Sequence, residues 1–436
     1  MTRIERAKIE GFKGIRSLEF EPSGLNLITG RNNTGKTSVL EAISISIDPK
    51  RLNEYEGKID KVISVERDTA KICLDFKKGG KNNLETREVT LSQLPKERLF
   101  EVISKKIYNS FDSGLKNNIS IGKDSHISHN RIAEEVSERV LHRVSQDAES
   151  FRRDFLKVTI NNSEYVFLDV ENRLNPTLYD VMREVVSDIA NNPEKIGVVS
   201  QQTLDAFSDE QTNPRDVEAD EIREDQLYRR LRIHLRGSVT GGFIFDKPNK
   251  IVSPNFISSQ DANLFSEPPE TDNEAIVLDD IEDFVKEREI LPNMKSLGME
   301  HVVFQSKNGE KNIVPYEFMG DGFKTIVGIL WKLFDKNHND IVLIEEPENH
   351  LHPGYVQELI YFLIQIARDD NAQLFITTHD ADFIGDFFTD AICLEDREFL
   401  EDKFSVLRLE ENVAQQLDYE EAEHELKDLH LDLRGI

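Results

Sequence analysis

Gly30-Arg31-Asn32-Asn33-Thr34-Gly35-Lys36-Thr37 fits the G-x-x-x-x-G-K-[ST] pattern of a phosphate-binding loop. Its surroundings supply the setting that the pattern requires. Leu25-Asn26-Leu27-Ile28-Thr29 is a short apolar run that reads as a buried strand. Ser38-Val39-Leu40-Glu41-Ala42-Ile43 opens a helix with apolar residues at helical spacing. The glycines let successive backbone N–H groups point inward, and the helix start adds roughly half a positive charge. Lys36 is expected to reach the β- and γ-phosphates, and the Thr37 hydroxyl to take a place on Mg²⁺. Arg31, Asn32, Asn33, Thr34 and Ser38 complete the lining. A chance lysine in a glycine turn explains neither the strand before nor the helix after, so the stretch reads as a nucleoside triphosphate site.

A chain of 436 residues exceeds one ordinary domain, so a large core with an inserted or appended lobe is expected. With 38% hydrophobic and 31% charged residues the composition is that of a soluble globular protein. No apolar stretch approaches the roughly 20 residues that span a bilayer. Met1-Thr2-Arg3-Ile4-Glu5-Arg6 has no apolar signal core. Two cysteines, Cys73 and Cys393, each inside an apolar run, argue for a reducing cytoplasm and against disulfides or a zinc site.

The net charge of −28 weighs on the choice of partner. Binding DNA by bulk electrostatics needs a basic face, and this chain on average repels phosphate. Clusters such as Lys77-Lys78 with Lys81, Lys105-Lys106, and Arg229-Arg230 with Arg232 and Arg236 read as solvated faces.

Arg3 to Glu10 alternates as a strand, Gly11 to Gly14 turns, and Leu18-Glu19-Phe20 returns, so an antiparallel element leads into the loop. Lys13 and Arg16 read as surface charge rather than nucleotide ligands. Lys61 to Phe76 and Glu85 to Leu91 are strand-like, joined by a turn over Lys77 to Asn83. From Ile132 through Val136, Val140, Val144, Ala148, Phe151 and Phe155 the spacing predicts one long amphipathic helix. Val158 to Val170 reads as a strand pair around Asn161-Asn162. Leu178 to Ile189 and Leu227 to Leu235 read as helical, and Ser208 to Asp225 as an acidic polar segment. His126 and His129 read as part of a polar loop. Lys250 to Ser259 predicts a strand leading into Gln260. Leu278 to Glu289 reads as a helix, and His301 to Gln305 with Lys311 to Pro315 as a hairpin around Asn308-Gly309. The expected division is 1–95 and 245–397 for the nucleotide-binding head, 96–244 for an inserted, mostly helical lobe, and 398–436 for a C-terminal hairpin and acidic helix.

The second half of the site lies late in the chain. Gly320-Asp321-Gly322-Phe323-Lys324 precedes an apolar helix, and a glycine-rich helix start can make a further nest of N–H groups; a plain turn fits the residues equally well. Ile341-Val342-Leu343-Ile344 is a fully buried strand ending in Glu345-Glu346-Pro347. Its C-terminal end is where open α/β sheets bind ligands. Adjacent strand side chains diverge. Glu345 is therefore expected to serve the metal shell, and Glu346 to orient and deprotonate the attacking water. Leu374 to Thr378 repeats the buried strand and ends at His379, placed to hydrogen-bond the γ-phosphate or the water.

Phosphate loop, inserted lobe, glycine-rich helix start, Glu-Glu-Pro-Glu-x-His-Leu-His-Pro and Thr-Thr-His occur in the order that resembles the ABC-type ATPase heads of the OLD (overcoming lysogenization defect) family, relatives of the SMC and RecF ATPases. The resemblance spans roughly 1–95 and 245–395. It implies an α/β P-loop NTPase hydrolysing ATP with Mg²⁺. Gly320 to Lys324 would be the signature loop, contacting γ-phosphate held by a second subunit, so self-association through the nucleotide is implied. Asn349 to His352 would be the D-loop, which makes His350 and His352 interface residues rather than metal ligands. Gln260 would be the Q-loop residue on the metal. Three positions depart from the pattern of relatives: Asn33 for glycine, Glu345 for aspartate and Gly320 for serine. The lobe is too short for the coiled coil of an SMC protein. Only 57 residues follow His379, about half of the Toprim nuclease that many OLD proteins carry.

Three purposes follow. One is an ATPase sensor of a nuclease-linked anti-phage system, resembling those of Septu or PARIS, with a separate effector. A second is a RecF-like repair ATPase that engages DNA itself, and a third is an ATP-dependent scaffold with little hydrolysis.

Overall fold

The computed structural model describes residues 2–55, 57–78, 84–105, 129–169, 181, 184–185, 242–244, 246–251, 255–258, 274–287, 290–306, 308–334, 340–349, 351–369, 372–410 and 414–435. The chain divides into two compact units. The first comprises Met1–Pro49, Ala70–Val89 and Asn249–Ile436, and the second Lys50–Thr69 and Thr90–Pro248.

The first unit begins with β1 (Thr2–Phe12), β2 (Ile15–Phe20) and β3 (Leu25–Gly30), then helix α1 (Lys36–Ile47). Strand β4 (Thr69–Lys78) pairs antiparallel with β1, which pairs antiparallel with β2. The strand reading from Lys61 is corrected. Ile59–Lys61 is a 3₁₀ turn and the strand starts only at Thr69, after charged Glu66-Arg67-Asp68 breaks the apolar spacing of Val62, Ile63 and Val65.

A six-stranded sheet forms the centre of this unit. Its members beyond β3 are β5 (Asn255–Ser258), β6 (Ile341–Glu345), β7 (Gln373–Thr378), β8 (Phe404–Leu409) and β9 (Ala414–Asp418), in the order β9-β8-β3-β7-β6-β5. All pairings are parallel except β8 with β9. Both faces are covered, so every residue of β3 and β7 is buried. The register puts Thr29 beside Thr378, Glu345 beside Thr377, and Ser258 beside Glu345. Four parallel strands thus end together, at the edge where such sheets collect their ligands.

Two buried amides fix that order. Asn26 donates from Nδ2 to Leu374 O at 2.9 Å and accepts from Ser405 Oγ at 3.0 Å, stitching β3 to both neighbours. Gln373 donates to Ile4 O at 2.9 Å and accepts from Ile4 N at 2.8 Å, pinning β1 to the central sheet. An unpaired buried amide costs about 1–3 kcal/mol, so satisfied ones favour one register. Helices Asp321–Phe334 and Pro353–Asp369 bury Trp331, Leu330, Leu359 and Leu363 against the sheet. The hairpin of His301–Gln305 with Lys311–Pro315 forms as the sequence indicates, with Met294–Leu297 as a third strand.

The residues after His379 are more than a hairpin and an acidic helix. Short helices occupy Ala381–Asp386 and Leu394–Lys403, and the hairpin's first strand is β8, a parallel neighbour of the phosphate-loop strand. Tyr419–Glu423 is α-helical, and the next turn, His424–Asp428, is a π-helix. Phe387, Phe388, Phe404 and Tyr419 pack with ring centroids 5.0–5.8 Å apart, which seats this segment in the core.

In the second unit, helix His129–Gln146 is followed by Ala148–Arg152, and Phe155 starts a strand. The single long helix is corrected: β-branched Val158, Thr159 and Ile160 favour an extended chain. His129 belongs to the helix rather than to a polar loop. Strands Phe155–Ile160 and Ser163–Leu168 form a hairpin, with Asn161 and Asn162 at φ 45° and 72°, the geometry of a two-residue turn. His126, Ser208 to Asp225 and Leu227 to Leu235 lie outside the described residues, as does most of Leu178 to Ile189. Cys73 and Cys393 are free thiols, and no helix among the described residues is long and apolar enough to cross a membrane.

Candidate functional site

Strand β3 runs directly into the glycine loop. Gly30 has φ 151°, and a Cβ there would sit 2.5 Å from the carbonyl oxygen of Leu409 on β8. Gly35 begins α1 with φ 100°. Asn33 has φ 67°, a left-handed conformation that asparagine tolerates better than most residues. Lys36 is buried, and its ammonium donates to Gly30 O at 3.0 Å and Arg31 O at 3.1 Å. Burial lowers the Lys36 pKa, opposed by the charges of Glu346 and Glu348.

Thr37 Oγ1 donates to Glu345 Oε1 at 2.5 Å, and Ser258 Oγ donates to Glu345 Oε2 at 3.0 Å. This all-oxygen set at a strand edge suits Mg²⁺, which takes few protein ligands and keeps waters. When bound, the ion would neutralise phosphate charge, with Thr37, Glu345 and Ser258 as the residues able to hold or order it. Ser258 was not legible as a site residue; its only signal is its place at the end of a predicted strand. Gln260 lies outside the described residues.

Glu346 leaves β6 in a left-handed turn, φ 42°, with its N–H donating to Thr377 O at 3.0 Å. The turn sends it away from Glu345. Its Oε2 accepts from Asn349 Nδ2 at 3.0 Å, and its Oε1 lies 3.0 Å from His379 Nδ1. A hydrogen on Nδ1 makes this contact a bond donated to the carboxylate, with Nε2 as the ring's other nitrogen. The pair can orient a water and take its proton. Lys13, by contrast, pairs with Glu41 at 2.6 Å.

Glu348 completes this end of the sheet. It is 7% exposed, accepts from Thr378 Oγ1 at 2.5 Å, and its Oε2 has no hydrogen-bond partner among the described residues. Burial pushes its pKa up to about 7, against the Thr378 bond, which lowers it. The folded chain therefore holds a proton between pH 4.5 and 7 that the unfolded chain releases, so stability falls as pH rises through that window. The cost by pH 8 is about 3 kcal/mol. Glu348→Gln, which keeps the acceptor and removes the charge, is expected to raise Tm over wild type at pH 8 and match it at about pH 4, below the window; thermal melts at both pH values check this.

The Gly320 turn lies at the surface. A Cβ on Gly320 would meet nothing within 4 Å, Asp321 is exposed, and Gly322 is half-buried. Lys324 Nζ donates to Glu317 O at 2.8 Å, and Phe323 anchors the helix in the core. His352 accepts from Gly354 N at 3.2 Å and His350 lies outside the described residues; among the described residues no cluster of three or more His, Cys, Asp and Glu could hold a metal.

A cavity of about 370 Å³ opens beside the loop, lined by Gly30, Arg31, Asn32, His379, Asp432, Arg434 and Gly435. The last three come from the C-terminal tail and carry no sequence pattern that marks them.

Several known proteins are similar to parts of this chain. A 57-residue stretch is 42% identical to the DNA double-strand break repair Rad50 ATPase of Methanopyrus kandleri, covering 13% of this chain and 6% of that protein. A 46-residue stretch is 46% identical to the DNA replication and repair protein RecF of Teredinibacter turnerae, covering 10% and 12%. The chain thus spans only a small fraction of these relatives' length. The SMC head domain from Thermotoga maritima aligns at a TM-score of 0.41 and 10% identity over 95% of this chain and 98% of that one. The profile of the AAA ATPase domain family matches residues 3–384, and with the phosphate loop seated on a parallel sheet, the chain belongs to the AAA ATPase domain family.

Proposed function

We propose that the protein binds ATP with Mg²⁺ at the Gly30–Ser38 loop, hydrolyses it, and uses the cycle to pair and release two copies of the head. The observation that carries the reading is the Glu346 carboxylate held between Asn349 and His379, one residue beyond a Glu345 bonded to Thr37. In this reading Lys36 grips the phosphates, Glu346 takes the proton of the attacking water, and His379 orients both. Asn32, Thr34 and Ser38 help line the triphosphate. The exposed Gly320–Lys324 turn is the surface offered to the triphosphate of a second copy. Moving such a pairing from 1:99 to 99:1 takes about 5.5 kcal/mol of differential binding, within reach of several charged contacts. The test is phosphate release from Mg-ATP by wild type and by Lys36→Ala. Activity in the first and its loss in the second is expected, and equal rates would refute the assignment.

Two purposes remain in view, and different observations favour them. The local matches to proteins named for DNA repair favour a DNA-engaging ATPase. The net charge of −28 favours a protein effector, as in a nuclease-linked, OLD-like defence system acting in the cytoplasm. We favour the second. Its expectation is that the isolated protein shows no salt-dependent retention of duplex DNA at 50 mM salt; binding that weakens steeply by 200 mM favours the first.

A further inference from the structure

The C-terminal tail reaches the phosphate loop, although nothing in the sequence ties the two together. Leu433 is 1% exposed, locking the tail into the core, and Gly435 N donates to Asp432 O at 3.0 Å, closing a tight turn. Between these anchors Arg434 faces the cavity that Gly30, Arg31, Asn32 and His379 also line. Its guanidinium is held on two sides. Asp432 accepts from Nε at 2.8 Å and from Nη2 at 2.6 Å, and His379 O accepts from Nη1 at 3.3 Å. The Asp432 carboxyl is held below the usual range, first by that bond, with a smaller share from Arg31. Asp380 and Asp382 also act on the guanidinium. An arginine is thus stretched across the backbone of His379, its fork beside the loop that would carry the phosphates.

We propose that Arg434 binds the terminal phosphate of the nucleoside triphosphate, supplied by the tail of the same chain, and that Asp432 holds its guanidinium facing the site. Asp432 takes hydrogens from Nε and Nη2 and His379 O takes one from Nη1, so of the five guanidinium N–H donors one on each Nη is left for phosphate oxygens while Asp432 stays in place. A terminal phosphate distinguishes a triphosphate from a diphosphate, so Arg434 acts as a discriminator. The bond from Arg434 to the His379 carbonyl links this choice to the position of the residue that orients Glu346. The inference rests on the phosphate-loop reading above.

Calorimetric titration of wild type, Arg434→Ala and Arg434→Lys with Mg-ATPγS and Mg-ADP tests it, with thermal melts to check folding. Arg434→Ala is expected to weaken ATPγS about tenfold or more while ADP changes by less than about twofold, since a charged hydrogen bond is at stake for one ligand only. Arg434→Lys, a point charge without the fork, is expected to fall between. An unchanged ratio of the two affinities in Arg434→Ala overturns the proposal. Equal weakening of both nucleotides also overturns it, because that marks a structural role for the tail. If wild type binds neither nucleotide, the phosphate-loop reading itself fails, and the arginine falls with it.

Discussion

Replacing Glu346 by glutamine is expected to lower the turnover of ATP by about 10²–10⁴-fold, the usual worth of a placed general base. The side chain keeps its size, and its amide oxygen can still accept from His379 Nδ1, 3.0 Å from Oε1 in the native chain. It cannot take a proton. Binding of Mg-ATP should stay within a few-fold of wild type, because Lys36, Thr37 and Glu345 are untouched. His379→Ala should cost less, since it removes the orienting partner and leaves the base. Single-turnover phosphate release, with nucleotide binding measured in parallel, separates these effects. A Glu346→Gln protein that hydrolyses at the native rate would remove Glu346 from the chemistry.

The second large effect is expected at Gly30. At φ 151° an alanine is strained by about 1–3 kcal/mol. Its Cβ would also stand 2.5 Å from Leu409 O and 2.7 Å from Thr34 Oγ1. The first of these is backbone on the neighbouring strand, so relief requires β3 and β8 to part or the loop to re-form. Gly30→Ala is therefore expected to lose about 3 kcal/mol or more of stability and to bind ATP poorly even where it remains folded. Gly14→Ala serves as the control, with nothing within 4 Å of its added Cβ. Chemical denaturation and nucleotide titration of the two variants check the contrast. Equal stabilities would mean that the loop is held less tightly than the geometry indicates.

The loop and strands around the proposed nucleotide site were legible in the sequence because each part there is local. A glycine loop between strand and helix, and two apolar strands ending in Glu345-Glu346 and Thr378-His379, announce themselves within a dozen residues each. The last sixty residues were harder. Phe404-Ser-Val-Leu-Arg-Leu is short and apolar, so it signals a buried strand without naming its partner, and only the fold sets it beside Leu25–Gly30. Leu394–Lys403 is largely charged and follows Cys393 rather than a capping serine or aspartate, which hides its helix. Arg434 and Ser258 reach the site through tertiary placement alone. Phe155 misled for the opposite reason: it continued a helical spacing into residues whose β-branched side chains start a strand.

In the proposed cycle two copies complete each site, one giving the Lys36 loop and the other the Gly320 turn. Mixing two inactive variants, Lys36→Ala and Gly320→Glu, tests this most directly. Random pairing makes half the dimers mixed, and each mixed dimer carries one intact site, so hydrolysis should return to about a quarter of the wild-type rate. If both variants are folded and inactive alone, yet their mixture stays inactive at every ratio, the shared site is contradicted.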